Sequence, residues 1–576
     1  MPDRPATAAS PVADWWRTAV IYQIYPRSFA DADGDGVGDL PGITERLEAL
    51  AALGVDAIWL SPFYTSPQAD AGYDVADYCD VDPLFGTLAD FDRLLERAHQ
   101  LDLRVIVDLV PNHTSSAHPW FEAALAAPPG SPERDRYLFR DEPTDWLSVF
   151  GGSAWTQVPD PGTDESGERS DHQPLRRAGP DESGERSDHQ PLRRAGQSYM
   201  HLYDPGQPDL NWQSAEVAAL FVDVLKFWLD RGVDGFRVDV AHGLVKDPTF
   251  PSFPDDPLSV HAKTEAPYWD QEGVHDIYRS WRAVLDAYTA ADPSRPRILC
   301  AEANVPVPRA IRYVRPDEMH QAFNFPYLNT PWNAPALRSV IDQSLAAYAS
   351  VGAPTTWVLS NHDVIRHATR LGYPADAPPG PGIGADDPQP DEALGLRRAR
   401  AASLMMLALP GSAYLYQGEE LGLPESTTMP DEFRQDPNWV RKNYTEKGRD
   451  GARVPLPWIS SSLAFGFGDV DTTWLPQPES YGLYARDLQE GDPTSTLEMY
   501  KTALRLRREH HLGAGELEWE STPGDHVLQF RRGSIRVITN ISADGLALPE
   551  GAEVLVSSEP FDTGFLESDQ CVWIRA

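Results

Sequence analysis

Short apolar runs rich in Ile and Val recur along the chain at 20–25, 57–60, 105–109, 236–239, 298–301, 321–325, 356–359 and 413–416. Between them lie stretches such as 43–53 and 215–230, whose apolar positions return every three or four residues. Continuous apolar runs predict strands buried on both faces, and the longer period predicts amphipathic helices. Regular alternation of the two predicts a parallel sheet, and eight such strands close into a (β/α)8 TIM barrel.

One interval breaks the rhythm. About 125 residues separate the third run from the fourth, far more than one βα connection requires. The barrel is therefore expected in two parts, 1–113 and 209–500, around an inserted domain at 114–208. Within the insertion, DESGERSDHQPLRRAG occurs at 164–179 and again, unchanged, at 181–196. Each copy holds one Leu and one Ala as its apolar residues, so neither can bury a face. It reads as a duplicated exposed loop, 164–196, at the tip of a hairpin formed by strands at 153–158 and 198–202. A lid or acceptor-site loop is the functional alternative. After about residue 488 the pattern changes to one helix, 495–510, and alternating strands at 527–531, 535–539 and 553–556. A C-terminal antiparallel β-sandwich domain over 501–576 is expected.

Composition narrows the partners. The 576 residues carry 49 Lys plus Arg against 87 Asp plus Glu, a net charge of −38. Such a surface repels nucleic acid and anionic membranes and keeps the protein soluble. Cys79, Cys300 and Cys571 are widely spaced and form no CxxC motif, which disfavours a disulfide scaffold or a thiolate zinc site. The first 13 residues lack a basic segment followed by an apolar one, and no run of about 18 apolar residues occurs. The expectation is a cytoplasmic protein, monomer or homodimer, without membrane or nucleic-acid partners.

A parallel barrel presents its chemistry at the C-terminal ends of its strands. Here the third run leads into Asp108 and Asn112-His113, the fourth holds Arg237 and Asp239, the fifth is followed by Glu302, and the seventh by Asn361-His362-Asp363. Carboxylates converging on one barrel mouth force their pKa values apart, because like charges resist simultaneous ionisation. A site that keeps one carboxylate ionised and another protonated suits retaining glycoside hydrolysis. A single Asp at a strand end commonly caps the next helix, but four decorated ends are more than capping demands.

These motifs resemble the α-amylase superfamily of retaining glycoside hydrolases (glycoside hydrolase family 13), and within it the α-glucosidase and oligo-1,6-glucosidase branch. The resemblance spans nearly the whole chain: AVIYQIYPRSFADADGDGVGDLPGI at 19–43, GVDAIWLSPFYTSP at 54–67, DLVPNHTS at 108–115, GFRVDVAH at 235–242, AEAN at 301–304, SNHD at 360–363 and GSAYLYQGEELGLP at 411–424. It implies Asp239 as nucleophile, Glu302 as general acid/base and Asp363 as stabiliser of the transition state. Arg237 would keep Asp239 ionised, and His113 and His362 would hydrogen-bond the glucose. In DAGYD, Asp70 would meet the non-reducing end of the sugar and Tyr73 would stack on it. The partner expected for Asp70 lies in GRDGARVPLPW, at Arg449 rather than Arg453, and Phe150 would close the aromatic wall.

A second constellation, Asp31, Asp33, Asp35 and Asp39 with Gly36 between, places oxygen ligands at every second residue in the manner of a calcium loop. Gly42 stands where an EF-hand carries Glu, and no flanking helices are evident in the sequence. The resembled branch uses such a loop for structural Ca²⁺ or Mg²⁺, with Val37 offering its carbonyl; an acidic solvated turn is the plain alternative. Two positions depart from the branch. Asn304 replaces a frequent Trp at the acceptor side, and Val240 follows the nucleophile in an unusual context. The expected substrate is a short α-glucoside of maltose, isomaltose or sucrose type, with linkage open. Because a covalent glucosyl intermediate can pass to water or to another sugar, hydrolysis, transglucosylation and isomerisation remain alternatives. A non-catalytic binding subunit is the distant one.

Overall fold

The computed structural model describes residues 14–158, 196–257, 266–374, 376–561 and 564–575. The duplicated loop, except Gly196, lies outside them.

The eight barrel strands are β1 (Val20–Ile24), β2 (Ala57–Leu60), β3 (Arg104–Leu109), β4 (Gly235–Val238), β5 (Ile298–Ala301), β6 (Gln321–Ala322), β7 (Thr356–Val358) and β8 (Ser412–Tyr416). They form one parallel sheet in the order β6-β5-β4-β3-β2-β1-β8-β7. No backbone pairing joins β6 to β7 among the described residues, so the barrel is nearly closed; the Tyr327 and Trp357 rings meet there with centroids 4.9 Å apart. The expected strand over 321–325 is cut short. Pro326 sits in the first turn of a helix, Phe325–Leu328, and Asn324 caps it by accepting the Tyr327 N–H at 3.1 Å.

Alternation along the strands explains why they read as unbroken apolar runs. Ile21, Ala57, Trp59, Ile106, Ile298, Cys300, Val358 and Tyr414 belong to one buried cluster inside the barrel. Their neighbours Tyr22, Ile58, Val105, Phe236, Leu299, Trp357 and Leu415 belong to a second, packed against the surrounding helices. Helices begin where the sequence supplies caps. Asp39 accepts the Gly42 N–H at 2.6 Å ahead of helix Leu40–Leu53, and Thr87 and Asp90 form a capping box ahead of Leu88–Gln100.

Between β3 and β4, strands Trp155–Gln157 and Ser198–Met200 pair antiparallel, with Phe139–Arg140 on the other side of Ser198–Met200. This is the expected hairpin. A bridge between His113 and Asp209 fastens the base of the insertion to the barrel. At the C-terminus, helix Thr496–Glu509 leads to a five-stranded antiparallel sheet and a two-stranded one, Leu546–Ala547 with Phe565–Leu566. Leu566 packs with Val527, Ile538, Val572 and Ile574 between them. No helix among the described residues is long and apolar enough to cross a membrane.

Candidate active site

Strand register assembles the centre of the site. In the parallel pairing of β3 with β4, Asp108 lies beside Arg237; in that of β4 with β5, Val238 lies beside Ala301. The residues that follow, Asp239 and Glu302, therefore emerge at the same level of the mouth. Arg237, fully buried, serves all three carboxylates. Its Nη1 donates to Asp108 at 2.9 and 3.0 Å and to Asp239 Oδ1 at 2.7 Å, and its Nη2 reaches Glu302 Oε2 at 2.7 Å. Glu302 Oε2 also accepts the Val240 N–H at 3.0 Å. Val240 holds φ 44°, a left-handed conformation that is costly for a β-branched residue and is stored next to the nucleophile.

One guanidinium cannot neutralise three buried carboxylates. Burial pushes Asp239 and Glu302 above the ordinary carboxylate range, with Arg237 opposing and the neighbouring carboxylates adding to the rise. Asp108, raised by the same burial, reaches about 7. The three acids therefore resist simultaneous ionisation, as a shared property of the group. Asp363 behaves oppositely. Burial raises it, but His362, Arg449 and Arg453 together hold it well below its usual value. Its Oδ1 accepts from Arg449 Nη1 at 2.9 Å and Arg453 Nη2 at 3.0 Å, and its Oδ2 lies 3.1 Å from His362 Nε2.

The floor of the pocket is built by residues remote in sequence. Arg449 donates from Nη2 to Asp70 Oδ1 at 2.8 Å and from Nε to buried Asp436 at 2.6 Å, and its guanidinium lies 5.3 Å from the Phe150 ring centre. Arg449 is thus the partner of Asp70, while Arg453 serves Asp363 and the His362 carbonyl. Tyr73 stacks on His362 with planes 4° apart and donates to Asp108 at 3.1 Å. His113, kept neutral by burial, lies 3.1 Å from Gln207 Nε2, which also donates to Asp70 Oδ2 at 3.2 Å. Asp70, Tyr73, His113, Phe150, Asp239, Glu302, Asp363 and Arg449 line one cavity of about 560 Å³; Arg237 and His362 stand directly behind its wall. Gln207 and Asp436 were not anticipated. The only signal for them was a polar residue in a loop, with no periodicity to single it out.

In the acidic loop, the carboxylates of Asp31, Asp33 and Asp39 converge, each offering an oxygen within 4.8 Å of the others. Asp35 is exposed and accepts the Val37 N–H at 2.8 Å. A helix does flank the loop, contrary to the sequence reading. It starts at Leu40, one residue after Asp39, which acts both in the carboxylate group and as helix cap.

Comparison with known proteins agrees with this geometry. The family described as "Alpha amylase, catalytic domain" matches residues 23–161 and 189–515. A probable α-glucosidase of Rhizobium meliloti (strain 1021) is 36% identical over 561 residues, covering 92% of this chain and 89% of the relative. The oligo-1,6-glucosidase of Parageobacillus thermoglucosidasius is 31% identical over 571 residues, covering 92% and 90%. Among solved structures, that of an α-glucosyl transfer enzyme, XgtA, superposes with a TM-score of 0.78 at 34% identity, covering 97% of this chain and 99% of the other. With its barrel, its strand-end carboxylates and these matches over most of its length, the chain belongs to the α-amylase family of glycoside hydrolases.

Proposed function

We propose that this glycoside hydrolase is a retaining, exo-acting α-glucosidase that removes glucose from the non-reducing end of short α-glucosides. The observation that carries the reading is the bridging of Asp239 and Glu302 by adjacent nitrogens of Arg237, in front of a floor closed by Asp70 and Arg449. Two carboxylates held by one guanidinium are close together, as retention through a covalent intermediate requires. Asp239, charge-compensated by Arg237, attacks the anomeric carbon and forms a β-glucosyl ester. Glu302 gives its proton to the departing oxygen and then, as a carboxylate, takes one from the incoming water. Asp363, held ionised, faces the developing positive charge on the sugar ring. Asp70 accepts from the ring hydroxyls and Arg449 donates to them, and the pair closes the pocket to a longer chain.

The test is hydrolysis of 4-nitrophenyl α-glucoside with the product anomer followed by NMR. α-Glucose is expected first, and Asp239→Asn is expected to lose about 10³-fold or more in kcat. Release of β-glucose, or internal cleavage of starch, would contradict the proposal. Transfer to a second sugar is the companion reading, favoured by the likeness to the α-glucosyl transfer enzyme. Product analysis at high maltose separates the two.

We also propose that Asp31, Asp33 and Asp39 hold a structural divalent cation. Three converging carboxylates form an all-oxygen donor set suited to Ca²⁺ or Mg²⁺. Such an ion relieves their mutual repulsion and fixes the loop against helix Leu40–Leu53. Added Ca²⁺ is expected to raise the Tm relative to EDTA, and Asp33→Asn to abolish that difference while remaining folded. Equal melting in both conditions would remove the site.

A further inference from the structure

Strand β1 reads VIYQI, a single amide among apolar and aromatic residues. Ile21 packs inside the barrel, and Gln23, two residues on, belongs to the same face of the strand. It is 1% exposed and lies beside Trp59 of β2 and Tyr416 of β8. None of the roles assigned above uses it. A buried amide is costly unless its hydrogen bonds are met, yet Gln23 Oε1 has no partner among the described residues. Its Nε2 has two. It donates to Ser61 Oγ at 3.1 Å and lies 2.7 Å from His362 Nδ1. The amide is turned to serve the imidazole while its own oxygen goes unmet, and a buried polar atom left open in this way calls for a reason.

The far side of the imidazole decides where its hydrogen sits. His362 Nε2 faces Tyr73 Oη at 2.6 Å and Asp363 Oδ2 at 3.1 Å. Burial, opposed by Asp363 and reinforced by Arg453, Arg237 and Arg449, keeps the ring neutral, so it carries one N–H. Asp363, held ionised, can only accept, which assigns that N–H to Nε2. The opposite tautomer would set a bare lone pair against the carboxylate. Nδ1 is then an acceptor that needs a donor, and the Gln23 amide supplies it. Beyond the ring, Tyr73 donates its own hydrogen to Asp108 Oδ2 at 3.1 Å, where with Arg237 it favours the ionised carboxylate.

We propose that Gln23 is a positioning residue that locks His362 in the Nε2–H tautomer, so that the hydrogens along Gln23, His362, Tyr73 and Asp108 all point one way. The hydrogen bond at one imidazole nitrogen selects the state of the other. Without the amide, the ring hydrogen is free to move to Nδ1. Nε2 then repels Asp363 and has nothing to donate to a sugar hydroxyl, and Tyr73 loses the donor that turns its hydroxyl toward Asp108. The catalytic consequence rests on the glucosidase reading of the site, whereas the tautomer is observable without turnover.

Two measurements test the lock. Nitrogen NMR of imidazole-labelled protein, with the His362 signals identified by their absence in His362→Asn, is expected to show a neutral ring protonated on Nε2 between about pH 6 and about pH 8. Gln23→Glu keeps the shape of the side chain and makes the donor removable. While one extra proton is held between the new carboxyl and the imidazole, Nε2 keeps its hydrogen. When that proton leaves, the carboxylate can only accept, the remaining ring hydrogen moves to Nδ1 and Nε2 is bare. The kcat/KM of this variant for 4-nitrophenyl α-glucoside, relative to wild type at the same pH, is therefore expected to fall about tenfold from about pH 5 to about pH 8, with calorimetry at each pH showing it folded. A constant ratio, or a wild-type ring protonated on Nδ1, overturns the proposal, and the wild-type spectrum decides it if the variant melts early. A folded wild type inert toward every α-glucoside, but with the Nε2–H ring present, would sink the glucosidase reading and leave the lock standing.

Discussion

Asp363 and Glu302 show how neighbouring carboxyls of one site acquire different protonation. Burial acts on both, but Asp363 has two arginines within 3.0 Å, while Glu302 shares a single arginine with two other carboxylates. The negative charge on Asp363 is itself one of the forces raising Glu302. Asp363→Asn is therefore expected to lower the Glu302 pKa. The protonated acid then persists over a narrower range, and the alkaline limb of kcat/KM for 4-nitrophenyl α-glucoside should move to lower pH by about one unit. A limb that stays in place or moves upward would show that Glu302 does not control it. The residue types at strand ends were legible in the sequence, since a parallel barrel dictates where its chemistry sits. The partners Gln207 and Asp436 were not, because nothing local distinguishes a side chain that braces a site from one that faces water.

At the level of elements, helix Glu392–Leu407 sets close packing against local propensity. Gly395 lies in its first turn, where Ala would ordinarily be favoured by about 1 kcal/mol. A Cβ there would stand 2.1 Å from the Ala368 carbonyl oxygen, which belongs to the short helix His367–Arg370 following the Asp363 loop. Backbone cannot yield as a flexible side chain does, so the clash wins. Gly395→Ala is expected to lose about 2 kcal/mol of stability by urea denaturation, with the Asp363 loop the first element disturbed. A neutral or stabilising result would mean the two helices are free to separate. Strand periodicity revealed the eight barrel strands but overextended the sixth, because Phe325 and Pro326 open a helix that the apolar run conceals. The Asp39 helix start was missed as a flank of the acidic loop, although the capping residue was in view.

For the molecule as a whole, the barrel, the insertion and the C-terminal β domain are joined by buried contacts rather than by a linker. Trp573 Nε1 donates to the Leu404 carbonyl at 3.1 Å, and Trp332 Nε1 to Asp569 at 2.6 Å, so the last strand and the turn before it are anchored on barrel helices and loops. The net charge of −38 is a property of the assembled surface. Salt weakens exposed ion pairs, but 87 acidic against 49 basic residues leaves repulsion as the larger exposed contribution. Raising NaCl from about 0.02 to 0.5 M is therefore expected to increase the Tm by about 3 °C or more, read by calorimetry. A decrease would mean that the ion pairs dominate. By itself the sequence determined the barrel, its insertion, the β domain and which carboxylates stand at the strand ends, because these follow from short-range periodicity and from residues adjoining the strands. Tertiary structure alone decided which arginine meets Asp70 across 379 residues and how one guanidinium is divided among three acids. Those outcomes depend on which distant groups share a buried space, and burial is settled only when the whole chain has closed around it.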